Sequence, residues 1–328
     1  MKTIGCLFLC LCSLPLLYAQ KTIGRILPED PAFNTLVDPA ARIEVLCGGF
    51  TWSEGPVWVK QLGSLLFSDV PQNAIYKWKQ EEGVSLFMHP SGYSGILPYS
   101  GEPGSNGLII NDKGQLVACE HGDRRISAMS LNHSGKRTLA DNYKGRLFNS
   151  PNDIIQKSNG DYYFTDPIYG LPADSVTAQR IKGVYRLSKT GTVDLLVDSL
   201  TPNGLAFSPD EKTLYVSQSL PEKPYILSYK VNSDGTLFDG KIFFNASALL
   251  QKGLPGLPDG MKTDINGNLF ATGPGGLLVI SAAGKLLGRI ETSDATSNCS
   301  WGDDGSSLYI TAHTLLCRVK TKTKGVIH

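Results

Sequence analysis

Six residues with a side-chain oxygen each open a copy of one repeated pattern: Glu54, Asn106, Asn152, Asn203, Asp259 and Asn298. Each copy runs from the polar lead through an apolar stretch and a Gly- or Asp-containing turn to a second apolar strand. The first reads SEGPVWVKQLGSLLFSDV and the last SNCSWGDDGSSLYITAH. If the lead residue occupies the same place in every copy, six oxygen-bearing side chains converge on one axis. Two carboxylates with several amide carbonyls are what a hard divalent cation such as Ca²⁺ or Mg²⁺ prefers, in contrast to the His and Cys sets that select zinc. An isolated Asn-Gly would simply turn the chain, its side chain bonding the local backbone. Six copies in register, one of them led by the poor turn former Glu54, favour the axial site.

The lead residues recur on average every 49 positions or so. A period of roughly 40 to 50 residues with turn signals between short strands is the mark of a propeller built from four-stranded blades. In every copy a hairpin turn precedes the second strand, at Gly63, Lys113-Gly114, Asn159-Gly160, Asp210-Glu211, Asn266-Gly267 and Asp304-Gly305. Asn-Gly and Asp-Gly suit such turns because both central residues accept positive φ. Ala74 to Trp78, Gly183 to Leu187 and Ile226 to Lys230 read as third strands of their blades. No stretch carries the i, i+3, i+4, i+7 pattern that a helical repeat would need. Residues 20–50 and 315–328 lie outside the six copies, yet Ile43 to Leu46 and Leu315 to Val319 are strand-like. One blade is therefore expected to draw strands from both termini. The expected fold is an all-β, six-bladed β-propeller forming a single domain over 20–328, with a metal site in its central channel.

Composition agrees with that fold. Of 328 residues, 41% are apolar and 19% charged, enough to build a core. The 35 glycines and 25 Tyr plus Phe suit tight turns between pleated strands. Thirty-one basic and 30 acidic residues are interspersed at a net charge of +1, so the electrostatic footprint of a nucleic-acid binder is missing. Lys2, the apolar run Leu7 to Leu17 and Leu17-Tyr18-Ala19 read as a signal peptide over 1–19, with export to the periplasm or beyond. That run is shorter than the roughly 20 apolar residues of a membrane anchor, and no later segment could span a bilayer. Four cysteines follow it: Cys47, Cys119, Cys299 and Cys317. A Cys299–Cys317 disulfide within one blade and free buried thiols are equal expectations in an oxidising compartment. The expected assembly is a monomer or weak dimer.

Ser53-Glu54-Gly55-Pro56-Val57-Trp58, Pro151-Asn152-Asp153, Pro202-Asn203-Gly204-Leu205 and Pro258-Asp259-Gly260-Met261 resemble the gluconolactonase, regucalcin (senescence marker protein) and luciferin-regenerating enzyme family. Glu120 to Arg125 and Phe164 to Gly170 are similar to segments of its bacterial gluconolactonase branch, and the likeness runs over about 45–318. The resemblance implies a six-bladed propeller, a metal bound by the residues matching Glu54, Asn203 and Asp259, Asp259 as proton acceptor, and Asn152 touching metal or substrate. In regucalcin-like members an Arg stands two places before the residue matching Asn152. Here that place is Ser150, with Arg146 or Arg124 as other sources of positive charge.

The chemistry that follows is lactone hydrolysis. A divalent cation, Ca²⁺ first with Mg²⁺, Mn²⁺ or Zn²⁺ as alternatives, stabilises the developing oxyanion and acidifies the attacking water. Asp259 takes a proton from that water, and the opened ring leaves as a hydroxy acid. Asn106 and Asn152 orient substrate hydroxyls. His121, at the start of the loop after its second strand, is an orienting donor or second base, or else structural; Asp166 and Tyr169 are similarly placed, or form a Pro-stabilised turn. No Gly-x-Ser-x-Gly elbow and no Walker or dinucleotide glycine pattern supports other chemistry. The rival from another class is a non-catalytic propeller that binds a protein or glycan around a structural metal.

Overall fold

The computed structural model describes residues 20–132, 134–173 and 181–326. The expected signal peptide lies outside these. Among the described residues almost all regular structure is antiparallel strand, arranged as six blade sheets around a channel with a separate two-stranded hairpin, Asn142–Tyr143 with Arg146–Leu147. The innermost strands follow the repeat: Ser53–Val59, Ser105–Ile110, Ile154–Gln156, Pro202–Phe207, Met261–Thr263 and Asn298–Gly302. The proposed third strands are third strands, as Ala74–Lys79, Gly183–Leu187 and Lys223–Val231. Among the described residues the helical content is one short α-helix, Ser247–Leu250, and two 3₁₀ turns.

The expected hairpins form, and their physics is visible in one torsion. Gly63, Gly114, Gly160, Gly267 and Gly305 all take positive φ, and in the remaining blade the position is held by Glu211 at φ 53°. A β-carbon is disfavoured there. Glu211 is held in place by its carboxylate, which accepts from Lys157 Nζ at 2.8 Å and Ser158 N at 2.8 Å on the preceding blade.

The ring closes with strands from both ends of the chain. Ile43–Gly48 pairs with Leu315–Lys320 and completes the last blade, as expected. Two further pairings tie the N-terminus in: Thr22–Ile23 extends the same sheet, and Arg25–Pro28 adds a fifth strand to the neighbouring blade along Leu286–Glu291. Six apolar clusters fill the six blade interfaces. Val59 and Leu66 meeting Leu108 and Leu116 is typical.

The last blade also settles the cysteines. Cys299 and Cys317 do share it, but both pair with Ile310, from opposite sides. They sit two strand spacings apart, about 9 to 10 Å, beyond the reach of a disulfide. All four described cysteines are free thiols, and burial pushes those of Cys299 and Cys317 up to about 12.

Candidate active site at one end of the channel

The lead residues stand at the start of the innermost strands, where neighbouring backbones approach closely. Gly55, Gly107, Gly204 and Gly260 each follow a lead residue or stand beside one. A β-carbon at Gly55 would lie 2.0 Å from the Asn106 carbonyl oxygen, and one at Gly204 would lie 2.3 Å from that of Asp259. The glycine after the lead is thus required by packing between blades, which is why the Asn-Gly and Asp-Gly pairs of the repeat are more than turns.

A second set of residues fixes the height of the leads. Ser68, Cys119, Thr165, Ser217, Thr272 and Thr311 occupy equivalent places on the second strands, 13 or 14 positions after each lead. Ser68 Oγ donates to the Asn106 carbonyl at 2.9 Å and Thr165 Oγ1 to the Asn203 carbonyl at 2.6 Å, each reaching into the next blade. Thr272 Oγ1 does the same to Ser297 O at 3.3 Å. These buried hydroxyls hold the lead backbones in one ring, and the sequence carried the signal as a recurrent Ser or Thr.

The six leads then divide by the state of their side chains. Asn298 acts as a strut. Its Nδ2 donates to Glu54 Oε2 at 3.1 Å while its Oδ1 accepts from Cys299 N at 2.9 Å, and it also hydrogen-bonds Asp153. Glu54 is buried, its Oε2 also accepting from Gly55 N at 2.6 Å. Burial, and then the Asp153 charge, push its carboxyl up to about 8. Asp259 is partly accessible, but its Oδ1 is enclosed without a partner. Burial, followed by the charges of Glu54, Asp153 and Glu102, holds its carboxyl well above the ordinary range. Asn203 donates to Ser219 Oγ at 3.2 Å and leaves Oδ1 enclosed and unpartnered, as does Asn106. Asn152 is buried and anchored through its backbone, accepting from Gly107 N at 2.7 Å.

His121 stands behind Asn106. It is fully buried, with Nδ1 3.1 Å from the Glu102 carbonyl and Nε2 3.5 Å from Asn106 Nδ2. Burial pulls its pKa down to about 4, so it is a neutral ring that positions the Asn106 amide. Asp166 accepts from Asn149 N and Ser150 N at 2.8 and 2.9 Å, a turn-forming role. Ser150, at the place where regucalcin-like members carry an Arg, is buried; its Oγ donates to the Pro167 carbonyl and accepts from Gly170 N. It shapes the turn that carries Tyr169, and Arg124 is spent on backbone carbonyls, with Nε 2.6 Å from Phe148 O. Arg146 lies exposed on a small hairpin.

Beyond the leads and Asp153, two further residues join the cluster. Tyr169, whose hydroxyl is enclosed without a hydrogen-bond partner, sits where Asp259 bears on it and Ser219 and Asn203 face it. Glu102, in the loop before the second blade, adds its charge to Glu54, Asp259 and Tyr169. Its approach depends on the ring closing, and nothing in Gly101-Glu102-Pro103 announces it. The other end of the channel is different: a cavity of about 520 Å³ walled largely by apolar side chains such as Trp58, Leu108, Phe207 and Trp301. None of the lead residues lines it.

No cluster of three or more His, Cys, Asp or Glu side chains able to hold a metal occurs among the described residues. The donor set here is of another kind, two carboxylates and amide oxygens. Enclosed acceptors at Asn106, Asn203 and Asp259 lack any donor, and two carboxylates repel one another. Both features are relieved by a cation, so the residues fit one.

Fold and site together define a six-bladed propeller with a buried oxygen cluster at one end of its channel. The chain belongs to the SMP-30/gluconolactonase/LRE-like family, whose model matches residues 52–314. A gluconolactonase of Zymomonas mobilis is 41% identical over 314 residues, covering 93% of this chain and 88% of that one. The solved structure of a gluconolactonase from Xanthomonas campestris aligns with a TM-score of 0.80 at 31% identity, over 92% of this chain and 98% of that one. Regucalcin of Bos taurus is 28% identical over 269 residues, covering 79% of this chain and 82% of its own.

Proposed function

We propose that this protein hydrolyses a sugar-type lactone to its hydroxy acid, with one divalent cation held by Glu54, Asn203 and Asp259. The observation that carries the reading is the set of enclosed oxygens without donors beside two carboxylates, Glu54 and Asp259, that burial and neighbouring carboxylates push above their ordinary range. Gluconolactonases among the similar proteins supply the substrate class.

A cation bound there supplies positive charge for the oxyanion at the lactone carbonyl and acidifies the attacking water. Asp259, partly accessible, takes the proton from that water. Asn106 and Asn152 receive the substrate's hydroxyls, His121 keeps the Asn106 amide turned, and Tyr169 stands beside Asp259. The all-oxygen donor set favours Ca²⁺, with Mg²⁺, Mn²⁺ and Zn²⁺ as alternatives.

The test is a panel of sugar and aliphatic lactones assayed after chelation and after add-back of each cation. Hydrolysis of a sugar lactone that is lost on chelation and restored by a cation is the expected result. Inactivity over the whole panel would leave a propeller that binds a protein or glycan. Export by a signal peptide ending near Ala19, and a monomer or weak dimer, belong to the same proposal. N-terminal sequencing of protein from a secreting host, and its sedimentation, check them.

A further inference from the structure

Glu102, like Tyr169, joins the cluster from a loop instead of an innermost strand. Its loop is fixed at both ends. Asn73 Oδ1 accepts from the backbone of Ser91, Gly92 and Tyr93 at 3.0, 2.8 and 3.1 Å. Beyond Glu102, Gly104 N donates to Val70 O, and the Gly104 and Pro103 carbonyls accept from His121 N and Gly122 N. Pro103 restricts the Glu102 backbone further, and the Glu102 carbonyl accepts from His121 Nδ1 at 3.1 Å.

The carboxylate on this rigid support is half-buried. Among the described residues it has no ion-pair partner, and burial alone bears on it. Its charge nevertheless reaches Glu54, Asp259 and Tyr169. A half-buried carboxylate near two others, with no cation or donor of its own among the described residues, gains a charge-assisted hydrogen bond when a ligand supplies the donor. The residue adjoins the leads through His121, which meets the Glu102 carbonyl at Nδ1 and, at Nε2, lies 3.5 Å from Asn106 Nδ2.

We infer that Glu102 is a specificity-determining residue: its carboxylate accepts a hydrogen bond from a ring hydroxyl of a polyhydroxylated lactone. The inference rests on the lactonase reading and adds to it the residue that separates sugar lactones from plain ones. A site built to hydrogen-bond a substrate hydroxyl discriminates against an analogue lacking it. Glu102 acts on binding and takes no part in proton transfer.

The experiment compares wild type, Glu102→Gln and Glu102→Ala on gluconolactone and on unsubstituted δ-valerolactone. Calorimetry of gluconolactam, a ring analogue lacking the ester, and of δ-valerolactam provides a second readout. Glu102→Ala should lower kcat/KM for gluconolactone about 10- to 100-fold, mostly through KM, and weaken gluconolactam to match. Valerolactone and valerolactam should change less than about threefold, with Glu102→Gln intermediate. Equal losses on both substrates, or none on either, overturn the assignment. If wild type opens neither lactone, the lactonase reading falls, while gluconolactam binding still decides whether Glu102 reads a hydroxyl.

Discussion

Glu54 and Asp259 are held in a protonation state that a cation would reverse. Burial raises both, and each is raised further by neighbouring carboxylates. Between the ordinary glutamate pKa near 4.5 and the folded value of about 8, the folded cation-free protein binds more protons than the unfolded chain. Its stability is therefore full below pH 4.5 and declines as pH rises towards 8. The melting temperature of chelated protein should fall from pH 5 to pH 8, and saturating cation should remove the fall. A flat profile in chelator would contradict the arrangement. The same repulsion makes Asp259→Asn neutral or stabilising to chelated protein at pH 8, while it lowers kcat/KM at least about 100-fold. Loss of folding together with activity would mean that Asp259 is a structural residue. His121, neutral above about pH 4, should leave no inflection between pH 5 and 8 in the rate profile, and His121→Asn would test this by leaving the profile's shape unchanged.

At the scale of elements, the lead residues are positioned by their neighbours' second strands. Thr165 Oγ1 donates to Asn203 O and accepts from Asp153 N at 3.1 Å, so one hydroxyl joins the third and fourth blades behind two members of the site. Thr165→Val keeps the shape and strands both groups, which should cost about 1 to 3 kcal/mol in denaturant unfolding. Cation affinity should weaken with it, as Asn203 loses its register. Unchanged stability would show that the hydroxyl is not needed to lock the ring. The N-terminal strands work at the same scale: removing residues 20–47 deletes the outer strands of two adjacent blades together with Phe33, Val37 and Ile43, and uncovers Leu287, Ile290 and Val319 of the same apolar cluster. That chain should fail to fold, and a soluble cooperative product would count against closure by both termini.

For the whole molecule, the ring was legible because its repeat is written in residue types that the geometry demands. Gly follows the lead where neighbouring backbones nearly touch, and Gly takes positive φ in every repeat hairpin but the one that holds Glu211. The choice among six leads was not legible from the repeat, since Asn298 and Asn106 look alike in sequence. Only the fold gives Asn298 Oδ1 a donor in Cys299 and leaves Asn106 Oδ1 with none. The choice between a Cys299–Cys317 disulfide and free thiols was open in the sequence for a similar reason, because sharing a blade does not reveal that Ile310 lies between the two. Glu102 and Tyr169 reach the site through connections between strands, where no periodicity constrains the chain.

The central claim is that one cation at the Glu54, Asn203 and Asp259 end of the channel makes the protein a lactonase. Chelated wild-type protein should be titrated with Ca²⁺ while heat and gluconolactone hydrolysis are followed in parallel at pH 7. Binding and activity should rise together and saturate at one cation per chain, with protons released to the buffer, and Glu54→Gln should abolish both responses. Full activity in the chelated protein, or cation binding of wild-type strength in Glu54→Gln, would contradict the account.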